Sequence, residues 1–217
     1  MSSSPVHLKI EGTIGVLVVQ NPPVNALSSA TIKELIENFA AFEAHPELQA
    51  LVVHCEGRTF VAGGDISCFE DPDFSTAPFN QFLARLEACT RPVVAALHGT
   101  TLGGGLELAM ACHSRVATPS ARVGLPEVKL GLIPGSLGTQ RLPRLAGAQR
   151  AMEMMLSGRM INAQQALEAG IVDEISEAPP LQAALARAQA ILQQGDTPRR
   201  TSALTVDPAS LPELVGR

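Results

Sequence analysis

Apolar and polar positions alternate near the N-terminus in the pattern of a β-hairpin. Two alternating runs, Val6–Ile10 and Ile14–Gln20, are separated by a short polar stretch that contains a glycine. Apolar residues then recur every three or four positions over residues 32–39, which is the period of a helix with one buried face. Ser28 or Ser29 precedes this run and is a suitable N-cap, so we predict that the helix begins there.

Strand and helix patterns alternate along the rest of the chain, which is typical of an α/β protein. Short apolar runs rich in β-branched residues predict buried strands, and longer runs with helical periodicity predict helices. The predicted strands are Ala50–His54, Val93–Leu97, Arg115–Ala117 and Ile171–Ile175. The predicted helices carry Phe79–Leu86, Leu106–Cys112, Gly138–Leu145, Gln149–Leu156, Ala163–Ala169 and Leu181–Leu192.

Length and composition point to one large domain with a tail. We predict a core over residues 1–195 and a polar tail or linker over residues 196–217, ahead of further helices or domains if the chain is part of a longer one. Apolar residues make up 46% of the chain and charged residues 17%, which favours a globular protein. The stretch Glu70–Pro78 is acidic and interrupted by prolines, and we predict a loop there.

The charge pattern and the apolar runs exclude some classes of partner. The net charge is −5, basic residues are not clustered and the chain has no Trp or Tyr, so we expect no nucleic-acid partner. Each apolar run is shorter than the roughly 18 residues that a membrane helix needs, so we expect no membrane partner.

Cysteine and histidine spacings argue against a disulfide framework and against a metal site. The four cysteines lack CxxC spacing, and Cys55 and Cys112 lie in apolar elements, where we expect buried free thiols of a reducing compartment. The five histidines show no paired ligand spacing. We therefore expect no metal and a cytoplasmic protein, or a peroxisomal one if the source is eukaryotic.

The stretch Gly103–Glu107 is the first candidate for chemistry. It joins the predicted strand Val93–Leu97 to the predicted helix that follows. Glycines at such a junction let the backbone approach a ligand, and their amide groups at the helix N-terminus suit an oxygen that carries negative charge. Glu107 would stand beside these amides in the first helical turn. Close packing of glycines and a first-turn carboxylate that stabilises the helix dipole are the alternative interpretation.

A second carboxylate follows in a turn. Glu127 precedes the apolar stretch Leu130–Pro134, so it is either solvated at the turn or held in an apolar pocket with a raised pKa. Two carboxylates from separate elements beside an amide-lined hole are suited to adding water next to a carbonyl group.

Together these motifs resemble the crotonase (enoyl-CoA hydratase/isomerase) superfamily. The resemblance covers roughly residues 6–178, with the motifs in family order, and is strongest to the N-terminal hydratase/isomerase domain of multifunctional fatty acid β-oxidation enzymes. The stretches that carry it are Asn21–Ala26, Phe60–Ile66, Gly99–Ala109, Ala121–Glu127, Gly131–Gly135, Gly138–Leu142 and Ala169–Val172.

The resemblance implies a crotonase-like ββα spiral with two roughly perpendicular sheets ringed by helices. It also implies an enoyl-CoA hydratase that adds water across the 2,3 double bond of 2-enoyl-CoA thioesters, with Δ3-Δ2-enoyl-CoA isomerisation as a second activity. Backbone amides of Gly64 and Gly104 would bind the enolate oxygen, Glu107 would activate water, and Glu127 would deliver a proton to the α-carbon.

The remaining expectations concern substrate, cofactor and partners. The resemblance implies an acyl-CoA thioester as the substrate and no separate cofactor, because CoA enters as part of the substrate. It also implies a homo-oligomer or a place in a larger multifunctional chain. The residues expected to bind the substrate are Ala26, Ala62, Asp65, Ile66, Leu132, Ile133, Pro134 and Gly135.

One alternative from another class is a catalytically silent domain that binds acyl-CoA or assembles other domains. The presence of both Glu107 and Glu127 argues against it, since a silent domain has no chemical need for either. A dinucleotide-binding loop is excluded by spacing, because position 108 carries leucine where that fingerprint needs a third glycine.

Overall fold

The structure is a computed structural model that describes residues 4–70 and 75–206. The strands in this part are β1 (Val6–Glu11), β2 (Ile14–Val19), β3 (Ala50–Cys55), β4 (Val93–Leu97), β5 (Thr100–Leu102), β6 (Ser114–Ala117), β7 (Arg122–Gly124), β8 (Ile161–Asn162) and β9 (Glu174–Ile175). The helices are α1 (Ser29–Glu43), α2 (Ala77–Ala88), α3 (Gly104–Ala111), α4 (Gly138–Ala146), α5 (Ala148–Ser157), α6 (Ala163–Glu168) and α7 (Pro180–Gln194). Single 3-10 turns lie at Ile66–Glu70, Glu127–Leu130 and Thr201–Ala203.

A six-stranded sheet in the order β1-β2-β3-β4-β6-β9 forms the centre of the fold. The hairpin β1–β2 is antiparallel, and every later pair in this sheet is parallel. The parallel pairs follow from the helices that lie between successive strands, since a parallel connection must cross over the sheet. Both faces of the sheet are apolar, as buried parallel strands require.

A smaller sheet in the order β5-β7-β8 lies next to the start of α3. Strands β5 and β7 are parallel, with Thr101 opposite Val123, and β8 pairs antiparallel with β7. Strand β5 leads directly into Gly103 and α3, so this sheet sets the direction in which the glycine-rich stretch enters the helix.

Two apolar clusters cover the two faces of the large sheet. The larger one packs α1, α2 and α3 against the sheet and includes Phe39, Phe42 and Phe82. The smaller one lies under α7, where Ala184 and Ala188 are fully buried and allow the helix to approach the strands closely.

Most of the predicted elements are present, and several local signals are confirmed. Ser28 is the N-cap of α1, and its hydroxyl accepts the amide of Thr31 at 3.2 Å. Asn162 and Gln165 form the capping box of α6. Cys55, Cys89 and Cys112 are buried free thiols and Cys68 is half-buried.

The predicted strand Ile171–Ile175 is shorter in the structure. The amides of Ile171 and Val172 both donate to the carbonyl oxygen of Ala166, which closes the end of α6 and leaves only Glu174–Ile175 to pair with β6. The sequence pattern does not predict strands β5, β7 and β8, since runs of two or three residues carry almost no periodicity.

Part of the predicted tail packs against the core. Residues 199–204, called the docked segment below, contact the domain through Thr201, which is fully buried, and through an ion pair between Arg199 and Asp173 at 2.8 Å. Residues 207–217 of the tail and residues 71–74 of the predicted loop at Glu70–Pro78 lie outside the described residues. The boundary at residue 195 therefore stays a prediction.

Neither a membrane span nor a metal-ligand cluster is present in the described part of the chain. Its helices are all too short or too polar to cross a bilayer. In residues 4–70 and 75–206, no three His, Cys, Asp or Glu side chains come together in a way that suits a metal ion.

Candidate active site

The glycine-rich stretch at the start of α3 has a backbone that only glycine satisfies. Gly103 is the N-cap and has φ +52°, a conformation that side chains rarely adopt. At Gly105 a β-carbon would lie 2.1 Å from the carbonyl oxygen of Val61, so a larger residue cannot be accommodated there without movement of the backbone. These two glycines let α3 begin directly against the loop that contains Val61.

That loop, residues 60–64, is held opposite α3 by backbone hydrogen bonds. The amide of Leu102 donates to the carbonyl oxygen of Val61 at 3.0 Å, and the amide of Leu27 donates to that of Gly63 at 2.9 Å. A β-carbon built on Gly104 would lie 3.9 Å from the amide nitrogen of Gly64. This distance places Gly64 beside Gly104, the two residues whose amides the family resemblance implies for an oxyanion hole.

Asn25 stabilises the chain segment that precedes the 60–64 loop. Its backbone has φ +54°, which asparagine tolerates better than most residues, and its side-chain amide donates to the carbonyl oxygens of Glu56 at 2.9 Å and Thr59 at 3.0 Å. The side-chain oxygen accepts the amide of Asn21 at 2.8 Å. Asn25 thus fixes the chain that leads into the 60–64 loop, a role that the sequence indicated only as part of a motif.

Glu107 lies in the first turn of α3 with its side chain buried. Its Oε1 accepts two backbone amides, from Ser136 at 2.7 Å and from Gly138 at 2.8 Å. Burial raises the pKa of Glu107 from an ordinary value of 4.5 to about 7, against the two amides, which lower it. The nearby charge of Glu127 raises this pKa further and that of Arg141 lowers it. Both amides bind Oε1, which leaves Oε2 for another partner.

Glu127 begins the 3-10 turn at Glu127–Leu130 and is half-buried. Its Oε1 lies 3.1 Å from the position that a β-carbon on Gly103 would occupy, so the carboxylate stands against the start of α3. Its Oε2 is buried without a hydrogen-bond partner among the described residues. Burial raises the pKa of Glu127. The apolar-pocket interpretation of this carboxylate is therefore favoured over a solvated turn.

A pocket of about 530 Å³ contains both carboxylates. Of the residues predicted to bind substrate or the enolate oxygen, those that line it are Ala62, Gly64, Ile66, Gly104, Leu132, Ile133 and Gly135. Three predicted residues do not line it: Ala26, Asp65 and Pro134. The carboxylate of Asp65 accepts the amide and the hydroxyl of Ser67 instead, and Pro134 is buried.

The structure adds lining residues that were not assigned to the site from the sequence. They are Leu27, Ile32, Gly63, Thr76, Phe79, Gly103, Pro126, Lys129, Leu130 and Ser136. Phe79 is part of the core and of the pocket wall, since it is buried in the large cluster and also lines the pocket. Lys129 is the one cationic side chain among these lining residues, and nothing in its local sequence distinguishes it from any exposed lysine.

Comparison with known proteins identifies the family that this site belongs to. A sequence model described as enoyl-CoA hydratase/isomerase matches residues 9–206. The chain belongs to the enoyl-CoA hydratase/isomerase family.

A probable enoyl-CoA hydratase of Bacillus subtilis (strain 168) is 43% identical over 173 residues, which are 77% of this chain and 67% of that protein. The peroxisomal bifunctional enzyme of Cavia porcellus is 39% identical over 210 residues, which are 96% of this chain and 29% of that protein. The chain thus spans less than a third of the bifunctional relative.

A crystal structure of enoyl-CoA hydratase from Bacillus anthracis is 31% identical, with a TM-score of 0.80 over 87% of this chain and 76% of that one. The family match and this structural likeness confirm the predicted crotonase-type α/β fold, in which two sheets are ringed by helices.

Proposed function

We propose that this hydratase/isomerase-family chain hydrates 2-enoyl-CoA thioesters and that Glu107 and Glu127 carry the reaction. One observation supports this most directly. The two carboxylates line the same pocket from separate elements, with the amides of Gly64 and Gly104 close together in the same wall. Burial raises the pKa of both carboxyls, which brings them closer to the neutral range where proton transfer is efficient.

In this mechanism the thioester oxygen binds between the amides of Gly64 and Gly104. Water attacks C3 while Glu107 accepts one of its protons, and the electrons of the double bond move to the thioester oxygen as an enolate. Protonated Glu127 then donates its proton to C2, which completes the 3-hydroxyacyl product. The proton on Glu107 later returns to the ionised Glu127 through water. Removing one oxyanion-hole donor from an enzyme typically costs about 2.7–4 kcal/mol of transition-state stabilisation.

The division between the two carboxylates follows from their contacts. Oε1 of Glu107 is held by the turn at Ser136–Gly138, so this carboxylate is fixed in place with Oε2 left to orient a water. Glu127 has a buried oxygen without a partner among the described residues, which suits a group that gives and takes a proton. The two carboxyls interact, so they would titrate as a pair.

Double-bond migration from position 3 to position 2 is the second activity that we propose for the site. Glu127 removes a proton from C2, the enolate forms in the same pair of amides, and the proton returns at C4. No water is consumed, so this reaction needs only one of the two carboxylates.

We propose further that CoA is bound only as part of the substrate. The acyl chain would contact the apolar lining residues, which include Leu27, Phe79 and Leu132, and the charged Lys129 would lie near the phosphates of CoA. The free cysteines are consistent with a reducing compartment, either the cytoplasm or, in a eukaryotic cell, the peroxisome.

Self-association is a proposal that rests on exposed apolar side chains away from the pocket. Leu156 is 69% exposed, and Met152, one turn earlier on α5, is also exposed. A homo-oligomer or a larger multifunctional chain would cover this surface. Sedimentation of the wild-type chain and of Leu156→Glu tests this proposal. If this surface is an interface between copies of the chain, the variant should sediment with a lower oligomeric mass than the wild type.

The decisive experiment mixes the purified chain with a 2-enoyl-CoA thioester and measures absorbance over time. Hydration removes the conjugated double bond, so the absorbance falls as the substrate is consumed. Turnover that disappears in the Glu107→Gln/Glu127→Gln double variant supports the proposal. Binding without turnover by the folded wild-type protein would instead support the acyl-CoA-binding or assembly domain and would overturn the enzyme assignment.

A further inference from the structure

Glu87 of α2 and Arg141 of α4 form an ion pair outside the lining of the pocket. Their charged groups are 2.9 Å apart, and the two side chains are 8% and 3% exposed. An ion pair that is removed from water in this way contributes little net stability compared with apolar residues of similar size. Its presence next to the site therefore calls for a role other than stability.

On one side the pair contacts the turn that holds Glu107. A second nitrogen of Arg141 donates to the carbonyl oxygen of Ser136 at 3.3 Å, and the amide of Ser136 donates to Glu107. Leu137, in the middle of this turn, has φ +70°, which is unusual for a residue with a side chain. This conformation directs the amides on both sides of Leu137 to the same oxygen of Glu107. Surrounding contacts must hold such a turn, and the hydrogen bond from Arg141 is one of them.

On the other side the pair contacts the docked segment. Oε1 of Glu87 accepts the amide of Ser202 at 2.7 Å. The hydroxyl of Thr201 donates to the carbonyl oxygen of Met110 at 2.9 Å, near the end of α3, the helix that carries Glu107. A continuous set of hydrogen bonds thus connects the docked segment, through Glu87 and Arg141, with the Ser136–Gly138 turn that holds Glu107.

We propose that Arg141 and Glu87 are positioning residues for Glu107. Their ion pair holds the Ser136–Gly138 turn in the geometry that fixes the carboxylate, and Ser202 of the docked segment holds Glu87. This inference rests on the proposed function, because it concerns the carboxylate that would activate water. Neither residue lines the pocket, so neither is expected to contact the substrate.

The pair also sets the charge that Glu107 experiences. The groups that face Glu107 are Glu127 from the 3-10 turn, Arg141 from α4 and the two amides of the Ser136–Gly138 turn, while Glu87 on α2 neutralises Arg141. Removal of the Arg141 charge should raise the pKa of Glu107. Removal of the Glu87 charge should lower it, since Arg141 would then be left without its partner.

The test titrates Glu107 by carboxyl ¹³C NMR, assigned with Glu107→Gln, in the wild type, Glu87→Gln, Arg141→Met and Arg141→Lys. We expect a fall of roughly 0.5–1 unit in Glu87→Gln and a rise of similar size in Arg141→Met, with Arg141→Lys close to the wild type. This readout needs no turnover, so it is distinct from a failure of the proposed function. If Arg141→Met does not fold, the other two variants still test the proposal. The pKa of Glu107 should fall in Glu87→Gln and stay close to the wild-type value in Arg141→Lys.

Rates of 2-enoyl-CoA hydration give the second measurement. We expect kcat to fall roughly ten- to hundredfold in Arg141→Met with little change in KM, because the turn loses its hydrogen bond and the carboxylate is misplaced while the pocket is intact. The loss should be smaller in Glu87→Gln, because its side-chain oxygen can still accept from Arg141. Glu43→Gln is the matched control. It removes a carboxylate charge paired with Arg85 of α2, and neither residue is among the groups that shift the pKa of Glu107. Equal pKa shifts in Glu43→Gln and Glu87→Gln, or pKa shifts in the same direction in Glu87→Gln and Arg141→Met, would overturn the proposal.

Discussion

The amide nitrogen of Gly138 lies 2.8 Å from Oε1 of Glu107, although the two residues are 31 positions apart in the chain. This hydrogen bond stabilises the ionised carboxylate, while burial favours the protonated form. Burial is the larger effect, and the result is a carboxyl group with a pKa of about 7. The consequences for stability and for catalysis can both be measured.

Stability should fall as Glu107 ionises. Because its pKa is raised in the folded state, the folded protein binds more protons than the unfolded chain between pH 4.5 and about 7, and the free energy of unfolding decreases over that range. We expect Glu107→Gln to gain about 3 kcal/mol relative to the wild type between pH 4 and pH 8. Urea unfolding at several pH values measures this difference.

The exposed Glu177→Gln serves as the control for loss of one carboxylate. Its stability should follow that of the wild type at every pH. A constant difference between Glu107→Gln and the wild type across this range would show that the pKa of Glu107 is not raised by folding.

The two carboxylates should separate in their effects on the two reactions. We expect Glu127→Gln to lose both hydration and isomerisation by roughly 10²–10⁴-fold, because both need the proton shuttle at C2. Glu107→Gln should lose hydration to a similar extent and keep a measurable part of isomerisation. Parallel assays with 2-enoyl-CoA and 3-enoyl-CoA test this, and normal hydration by Glu107→Gln would contradict the assignment.

The oxyanion donor at Gly104 can be removed without removing the residue's position in the helix. Gly104 is the first residue of α3, where proline is tolerated, so Gly104→Pro deletes the N–H group at a site that suits the ring. We expect acetoacetyl-CoA to bind more weakly by calorimetry and kcat for hydration to fall roughly 10²–10³-fold.

Gly104→Ala is the matched control, because it keeps the N–H group. Its β-carbon would approach Leu27 to 3.1 Å, as the β-carbon of proline would. Equal losses in the alanine and proline variants would assign the effect to crowding of Leu27 rather than to the missing donor.

Lys129 should lower the KM for CoA thioesters but not for truncated thioesters that lack the CoA phosphates. It is exposed at the pocket, and its charge would lie near the phosphates of CoA. We expect Lys129→Gln to raise KM for an enoyl-CoA roughly two- to fivefold, as an exposed ion pair contributes about 0.2–1 kcal/mol. The N-acetylcysteamine thioester of the same acid has no phosphates and should be unaffected. Lys9→Gln removes an exposed lysine of β1 and should leave the KM of both thioesters unchanged.

The amino-acid sequence by itself determined the local elements and the chemical groups of the candidate site. The hairpin β1–β2, the N-cap Ser28 and the capping box at Asn162 depend on neighbouring residues and were predictable. The glycine-rich stretch at Gly103–Glu107 was predictable too, because backbone freedom and a first-turn carboxylate are properties of a few adjacent residues. The motif resemblance then supplied the family and the crotonase fold.

Only the tertiary structure decided which groups meet and how strongly they are perturbed. The amides that bind Glu107 come from a turn about 30 residues away, and Arg141 is paired with Glu87 of α2, 54 positions away in the chain. The same is true of Lys129 and Phe79, whose place at the pocket depends on how distant elements pack. A pattern of residue types carries the period of a helix or a strand. Burial and contact between elements distant in the chain arise only when the whole chain has packed, and they set the pKa of Glu107.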